Sequence, residues 1–202
     1  MRLVLLDMGG VLVELVGERP FLEMMGGGVG ADEMWRRWLH SPSVRAHETG
    51  RMDTAEFAEE AVREFGLPVG PDEFLEHFRS WLAGPFAGAH ELLDELAARH
   101  RTAILTNISA VHWPIAESYG LFDRVERVFA SYRMGAIKPD RDYFEMALAE
   151  LGASPAEAVF FDDNVVNVEG ARACGIEAHV VRGVAETRSR LREIDLLPGG
   201  PP

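Results

Sequence analysis

The chain has one cysteine, one lysine, three asparagines and no glutamine among its 202 residues. A single cysteine, Cys174, excludes an internal disulfide and is typical of proteins from a reducing compartment. The apolar run at residues 3–6 is too short for a signal sequence or a membrane span. We therefore expect a cytoplasmic protein that does not insert into a membrane.

Positive charge is also scarce, because 20 basic residues stand against 33 acidic ones and the net charge is −13. This balance disfavours nucleic acid and anionic membranes as partners. It is compatible with a small phosphorylated substrate, since backbone N–H groups, one cation and a metal ion can bind phosphate locally. The length is compatible with a core domain carrying an insertion, in a monomer or a homodimer.

Short apolar runs alternate with helical patterns over most of the chain. The runs that we interpret as buried strands are residues 2–6, 102–105, 127–130, 158–161 and 178–181. Strands that alternate with helices predict an α/β fold, a Rossmann-like parallel sheet core with helices on both faces. Residues 15–85 instead show three helical patterns and no β run. They predict an all-helical cap inserted between residues 1–14 and 86–202 of the core domain.

Polar residues follow the strands of the predicted core, close to the point where each strand ends. In the order of the first four strands they are Asp7; Thr106 and Asn107; Lys138; and Asp162, Asp163 and Asn164. Sites in open parallel sheets lie beyond the carboxyl ends of the strands, so we expect these side chains at one edge of the sheet. The only lysine and two of the three asparagines fall in this set, and Asn167 follows closely.

These residue types suit phosphoryl transfer. A carboxylate such as Asp7 can attack phosphorus, while the Thr106 hydroxyl and the Asn107 backbone N–H can hold phosphoryl oxygens. Lys138 would neutralise both groups, and adjacent carboxylates suit Mg²⁺. Each residue also has a structural interpretation: Asp7 as a turn cap, Thr106 and Asn107 as a helix N-cap, and Lys138 as a solvated loop cation.

Four segments in chain order resemble the motifs of the haloacid dehalogenase-like hydrolase superfamily: residues 7–12, 105–107, 137–140, and 161–164 with Asn167 and 170–171. The resemblance covers roughly residues 1–185. Within the superfamily, residues 160–164 and the cap segment 47–50 are most similar to bacterial α-D-glucose-1-phosphate phosphatases and the phosphatase domain of soluble epoxide hydrolases.

This resemblance implies a Mg²⁺-dependent phosphatase that forms an aspartyl-phosphate on Asp7, with a sugar phosphate as the suggested substrate. The implied metal ligands are Asp7, the backbone carbonyl of Gly9, and Asp163. The implied phosphate-binding residues are Thr106, Asn107 and Lys138. Two further side chains would bond metal-bound waters, Asp162 and Asn167.

The chain departs from the family pattern at Gly9, where the commonest first motif has an Asp that serves as acid and base. Glu48 or His47 from the cap, Asp162, or water would have to replace it. General acid–base catalysis contributes about 10²–10⁴-fold in rate, so a slow enzyme would be consistent with this loss. A catalytically weak binding or regulatory protein is one alternative function.

The other alternative is a 2-haloacid dehalogenase, which needs no metal. That group typically lacks an acidic residue at the position of Asp163, so Asp163 favours the phosphatase.

Overall fold

The computed structural model describes residues 1–199, and residues 200–202 of the predicted core domain lie outside the described part. The strands, in chain order, are β1 (Leu3–Leu6), β2 (Val13–Leu15), β3 (Leu82–Pro85), β4 (Arg101–Thr106), β5 (Arg127–Ala130), β6 (Ala158–Asp162) and β7 (Glu177–Val180). Five of them form one parallel sheet in the order β5-β4-β1-β6-β7. The α/β sheet expected from the sequence is therefore confirmed.

Eleven α-helices accompany the strands within residues 1–199. Those of the cap are α1 (Glu18–Met24), α2 (Ala31–His40), α3 (Pro42–Glu48), α4 (Thr54–Phe65) and α5 (Pro71–Arg79). Those of the core are α6 (Ala89–Ala97), α7 (Trp113–Glu117), α8 (Ser131–Met134), α9 (Arg141–Leu151), α10 (Val165–Ala173) and α11 (Gly183–Glu193). No helix of the described chain has both the length and the apolar character that crossing a membrane requires.

Strand β1 explains why the sheet is covered on both faces. Its side chains are all apolar and alternate between the two faces, as the two-residue period of a strand requires. Val4 and Leu6 belong to the apolar cluster that includes side chains of α6 and α11. Leu3 and Leu5 belong to the opposite cluster, built with α9 and α10. This central strand delivers the next residue, Asp7, to the middle of the carboxyl edge.

The cap has an aromatic core of its own, in which Phe21, Trp38, Phe57, Phe74 and Phe78 are all at most 4% exposed. Asp53 starts α4, since its side chain accepts a hydrogen bond from the Glu56 N–H. The cap helices thus pack around an apolar cluster of their own, against which Val111 of the core also packs.

The ends of the predicted helical range, 15–85, need one correction. The two connections between core and cap pair as an antiparallel ribbon of β2 and β3, so strand residues lie at both ends of that range. The five cap helices, α1 to α5, lie between Glu18 and Arg79. Strands of three and four residues are too short to show an alternating pattern, and pairing between distant segments is invisible in local sequence.

Candidate active site

The polar residues selected from the sequence converge at the carboxyl edge of the sheet. Asp7 directly follows β1, and its N–H donates to the Phe161 carbonyl of β6 at 2.8 Å. Thr106 ends β4 and Asp162 ends β6, while Lys138 lies in the loop between α8 and α9. All of these side chains are buried at the same end of the molecule.

Lys138 is the best-defined side chain of the site and is 1% exposed. Its Nζ donates to Asp7 Oδ1 at 2.7 Å, to Asp162 Oδ2 at 2.7 Å and to the Leu105 carbonyl at 2.8 Å. These three acceptors account for all three protons of an ammonium group. Burial by itself would lower the pKa of Lys138, but the carboxylates of Asp162 and Asp7 outweigh it and raise the pKa. Lys138 is therefore a buried cation between two carboxylates, not a solvated loop residue.

Asn107 has a role that sequence reasoning missed. Its Nδ2 donates to the Lys138 carbonyl at 3.0 Å, and its Oδ1 accepts from the Lys138 N–H at 2.9 Å. This pair of bonds fixes the backbone of the lysine loop next to the cis peptide between Lys138 and Pro139. The Asn107 backbone N–H has no hydrogen-bond partner within residues 1–199, so it is available for a phosphoryl oxygen. The sequence shows that residue 107 is an asparagine, but it does not show that this side chain contacts a backbone 31 positions further along the chain.

Three carboxylates lie together at this edge: one oxygen each of Asp7, Asp162 and Asp163 falls within 4.8 Å of the others. Burial raises the pKa of Asp7 well above its usual value; Lys138 opposes this, and the two neighbouring carboxylates add to it. Burial, and then the charge of Asp162, raise the pKa of Asp163 to about 6. One lysine does not neutralise three carboxylates, so the cluster is suited to a divalent cation.

Asp162 and Asn167 sit behind this cluster. Asp162 is fully buried, and its Oδ1 accepts from the Asn164 N–H at 2.8 Å and from Asn167 Nδ2 at 3.1 Å. With Oδ2 bonded to Lys138, Asp162 orients the lysine. Asn167 Oδ1 is buried without a hydrogen-bond partner in the described chain. An unpaired buried acceptor fits the expected bond to a metal-bound water.

Glycine is required next to Asp163. A Cβ at Gly10 would lie 2.3 Å from Asp163 Oδ2, and the Gly10 φ of +71° is one that other residues rarely adopt. The second glycine of the motif thus lets the carboxylate approach the first loop. Gly9 differs, because a Cβ there would meet the methyl groups of Leu15, the nearest at 3.0 Å. An apolar side chain occupies the space toward which the usual Asp would project.

The two cap residues predicted as contacts lie in different places. Glu48, the last residue of α3, lines the same cavity as Asp7 and Lys138. Burial raises the pKa of Glu48 to about 7, although the Trp38 indole and Lys138 pull it down. His47 is buried in the cap core, stacked on Phe57 with ring centroids 4.2 Å apart and hydrogen-bonded to the Met52 carbonyl. It does not line the cavity.

The active-site cavity, which holds Asp7, Thr106, Lys138 and Asp163 at its base, has a volume of about 940 Å³. Cap helices α2, α3 and α5 and the β2–β3 ribbon contribute to its lining, together with loops of the core and the start of α10. A separate groove of about 800 Å³, lined in part by Met146, contains none of the predicted site residues. We assign the function to the first cavity, because it contains the buried ion pair of Asp7 and Lys138 with Asp163 beside it.

Comparison with known proteins agrees with this geometry. The sequence model of the haloacid dehalogenase-like hydrolase family matches residues 1–175. Phosphatase MT3486 of Mycobacterium tuberculosis is 29% identical over 161 residues, 78% of this chain and 74% of that protein. Sesquiterpene phosphatase astK of Aspergillus oryzae is 28% identical over 201 residues and 96% of each chain.

Among solved structures, the enzyme bt-2542 of Bacteroides thetaiotaomicron, in complex with magnesium and inorganic phosphate, superimposes with a TM-score of 0.71. It is 25% identical, and the match covers 90% of this chain and 94% of that one. The family resemblance read from the four motifs is therefore confirmed.

Proposed function

The chain belongs to the haloacid dehalogenase-like hydrolase family, and we propose that it is a magnesium-dependent phosphatase that acts on a small phosphorylated metabolite. The observation that carries the proposal is Lys138, buried between Asp7 and Asp162 beside a third carboxylate, Asp163. In this arrangement a fixed positive charge lies next to the nucleophile, and the remaining negative charge of the three carboxylates is available to bind a cation. Relatives named as phosphatases support the same activity.

In this proposal Asp7 attacks the phosphorus of the substrate. A bond forms between an Asp7 carboxylate oxygen and phosphorus, and the bond from phosphorus to the leaving oxygen breaks. Water then attacks the aspartyl-phosphate, which releases inorganic phosphate and restores Asp7. Thr106, the Asn107 backbone N–H and Lys138 hold the phosphoryl oxygens where negative charge develops. Asp7 Oδ1 is bonded to Lys138, whereas Oδ2 has no hydrogen bond in the described chain and is free to attack phosphorus or to bind the metal.

Asp7, the Gly9 carbonyl and Asp163 would hold Mg²⁺, which supplies Lewis-acid stabilisation of the phosphoryl charge when bound. The cluster of carboxylates and the unpaired Asn167 Oδ1 fit such an ion. The presence of magnesium in the structure of bt-2542 supports the assignment.

Glu48 is the proposed proton donor to the leaving oxygen, in place of the acid that Gly9 lacks. It lines the same cavity as the nucleophile, and because its pKa is raised to about 7, a substantial fraction of the carboxyl groups carries a proton at neutral pH. His47 is less suited, because it packs against Phe57 inside the cap.

The test is Mg²⁺-dependent hydrolysis of p-nitrophenyl phosphate, with rapid-quench trapping of labelled phosphate on the protein. Asp7→Asn should abolish both turnover and labelling, while Asp123→Asn, an exposed control, should retain both. Hydrolysis that survives exhaustive chelation would contradict the metal assignment, whereas a 2-haloacid dehalogenase would not hydrolyse the aryl phosphate at all. A protein that binds phosphate esters without turning them over would be the weak binding or regulatory member. Cytoplasmic location and a monomeric or dimeric state stay predictions.

A further inference from the structure

The active-site cavity is much larger than a phosphate ion needs. Its volume is about 940 Å³, within the ~300–1,000 Å³ range of sites that enclose whole organic ligands. Asp7, Lys138 and Asp163 lie at the base, whereas the cap and the ribbon contribute large apolar side chains that include Trp35, Leu39, Trp81 and Leu15. Charged side chains stand among these apolar ones, namely Glu14, Glu18, Arg36 and Glu48. The part of the substrate beyond the phosphate therefore meets mainly apolar surface.

Exposed apolar side chains are concentrated at this cavity. Seven large hydrophobic residues within residues 1–199 are exposed, and four of them line it: Leu15, Val165, Val166 and Val180. Single exposed apolar residues are ordinary on protein surfaces, but a group around one opening marks a binding surface. These four come from three different parts of the chain, at β2, at the start of α10 and at the end of β7, so the clustering arises from the fold.

Several polar groups in the lining are already paired within the protein. Trp35 Nε1 donates to Glu18 at 2.7 Å, and His112 Nε2 is bonded to the Phe78 carbonyl at 2.6 Å. A sugar would bring several hydroxyl groups into this space. A hydroxyl that is buried without a partner loses its hydrogen bonds to water, so such a ligand is poorly matched to the apolar part of these walls.

The wall beside the nucleophile is apolar as well. The Leu15 methyl groups lie over Gly9, the residue whose carbonyl we assign to the metal. The first carbons of the leaving group would thus contact Leu15 where other family members present a carboxylate.

Resting on the proposed phosphatase activity, we infer that the substrate is the monophosphate of an apolar alcohol, with an alkyl or prenyl chain that packs along Leu15 and the cap tryptophans. The phosphate binds at the base, beside Asp7 and Lys138, and the chain leaves toward the valines at the opening. The hydrophobic effect of burying that chain provides the selectivity over sugar phosphates.

The test is kcat/KM along a series of n-alkyl monophosphates from propyl to decyl, below their critical micelle concentrations, with hexose monophosphates measured alongside. We expect kcat/KM to rise about two- to fourfold per added methylene until the chain fills the cavity, since a buried methylene contributes about 0.8 kcal/mol. Leu15→Gln should lower the decyl-to-propyl ratio about tenfold. Met146→Gln is the matched control, because Met146 is similarly exposed (44% against 38% for Leu15) but lines the other groove, and it should leave the ratio unchanged.

Binding to Asp7→Asn, measured by calorimetry, separates this inference from the proposed activity. If the wild type hydrolyses no ester, but the affinity of Asp7→Asn for the alkyl phosphates rises with chain length, the apolar site is correct and the phosphatase proposal is wrong. Equal kcat/KM across the alkyl series, or a preference for hexose phosphates, would overturn the inference while leaving the phosphatase intact. In the absence of any turnover, equal affinity for propyl and decyl phosphates would overturn both.

Discussion

Glu48 gives a prediction in which stability and activity change in opposite directions. Its carboxyl group is partly buried, and its pKa is raised from 4.5 to about 7. A carboxyl group whose pKa is higher in the folded than in the unfolded protein stabilises the fold when it is protonated. The contribution of Glu48 to the free energy of unfolding is therefore fully present below pH 4.5 and is lost as the pH rises through about 7. Glu48→Gln mimics the protonated form at every pH. The variant should therefore match the wild type in acid and exceed it above neutrality.

The size of the effect follows from the shift. A difference of one pKa unit corresponds to about 1.4 kcal/mol, which makes ~3 kcal/mol an upper value for Glu48. The side chain lines an open cavity, and water there reduces the penalty, so we expect about 2 kcal/mol near pH 8. For a chain of this length that free energy raises the unfolding midpoint by roughly 4–8 °C.

Thermal unfolding of Glu48→Gln and wild type at about pH 5 and about pH 8, without metal, measures this difference. Glu59→Gln is the matched control, since Glu59 is exposed on α4 and makes no hydrogen bond within the described residues. It should be neutral at both pH values. A Glu48→Gln variant that is destabilised equally at both would refute the reasoning, because it would show that the carboxylate form is the one the fold favours.

Catalysis should respond in the other direction. The ratio kcat/KM reports only the steps through transfer to Asp7, where Glu48 would protonate the leaving oxygen. Alkyl phosphates need that proton and should lose about 10²-fold or more in Glu48→Gln. p-Nitrophenyl phosphate has a good leaving group and should change little. A purely structural role for Glu48 would affect both substrates alike.

Further variants at three positions test the base of the site. Lys138→Arg should lose turnover about as severely as Lys138→Met, ~10²-fold or more, since a planar guanidinium cannot replace an ammonium bonded to three closely placed acceptors. Lys138→Met should also destabilise the fold by about 3–5 kcal/mol in urea titrations, because two buried carboxylates lose their cation. Gly10→Ala should weaken Mg²⁺ binding about tenfold or more by calorimetry, as its Cβ would displace Asp163. Gly66→Ala is the control, because Gly66 has a similar φ but open space around it. Of the effects of Gly10→Ala, it should share only the loss of about 1–2 kcal/mol in folding stability that the backbone conformation causes. Asp163→Asn should weaken Mg²⁺ binding with the fold retained; unchanged affinity would remove Asp163 from the ligand set.

The core of the fold was predictable because its signals are local. The strands β1, β4 and β6 each contain an apolar run, and a polar residue of the site follows each run directly, so the topology of a parallel sheet was enough to group Asp7, Thr106 and Asp162. The scarcity of lysine added Lys138 to the group. Its burial and its three acceptors confirm the convergence of these side chains, whereas their catalytic roles await the variants above.

The missed features depend on contacts between distant segments. The ribbon of β2 and β3 joins residues 67–72 positions apart, and no pattern in three residues indicates it. The same holds for Leu15, whose methyl groups cover Gly9 only because the ribbon turns back over the first loop. His47 and Glu48 are adjacent in sequence, yet helix geometry directs one into the cap core and the other into the cavity.

Gly9, Leu15 and Glu48 together connect the proposed mechanism to the proposed substrate. The nucleophile belongs to the core, whereas the proposed proton donor belongs to the cap, at the end of α3. Proton transfer then depends on how well the substrate fills the space between the two domains. Contacts between the ligand and the apolar wall hold the leaving oxygen near Glu48, and a ligand too short to make these contacts lacks that binding energy. Short esters should therefore lose kcat as well as affinity, although their phosphate groups make the same contacts at the base.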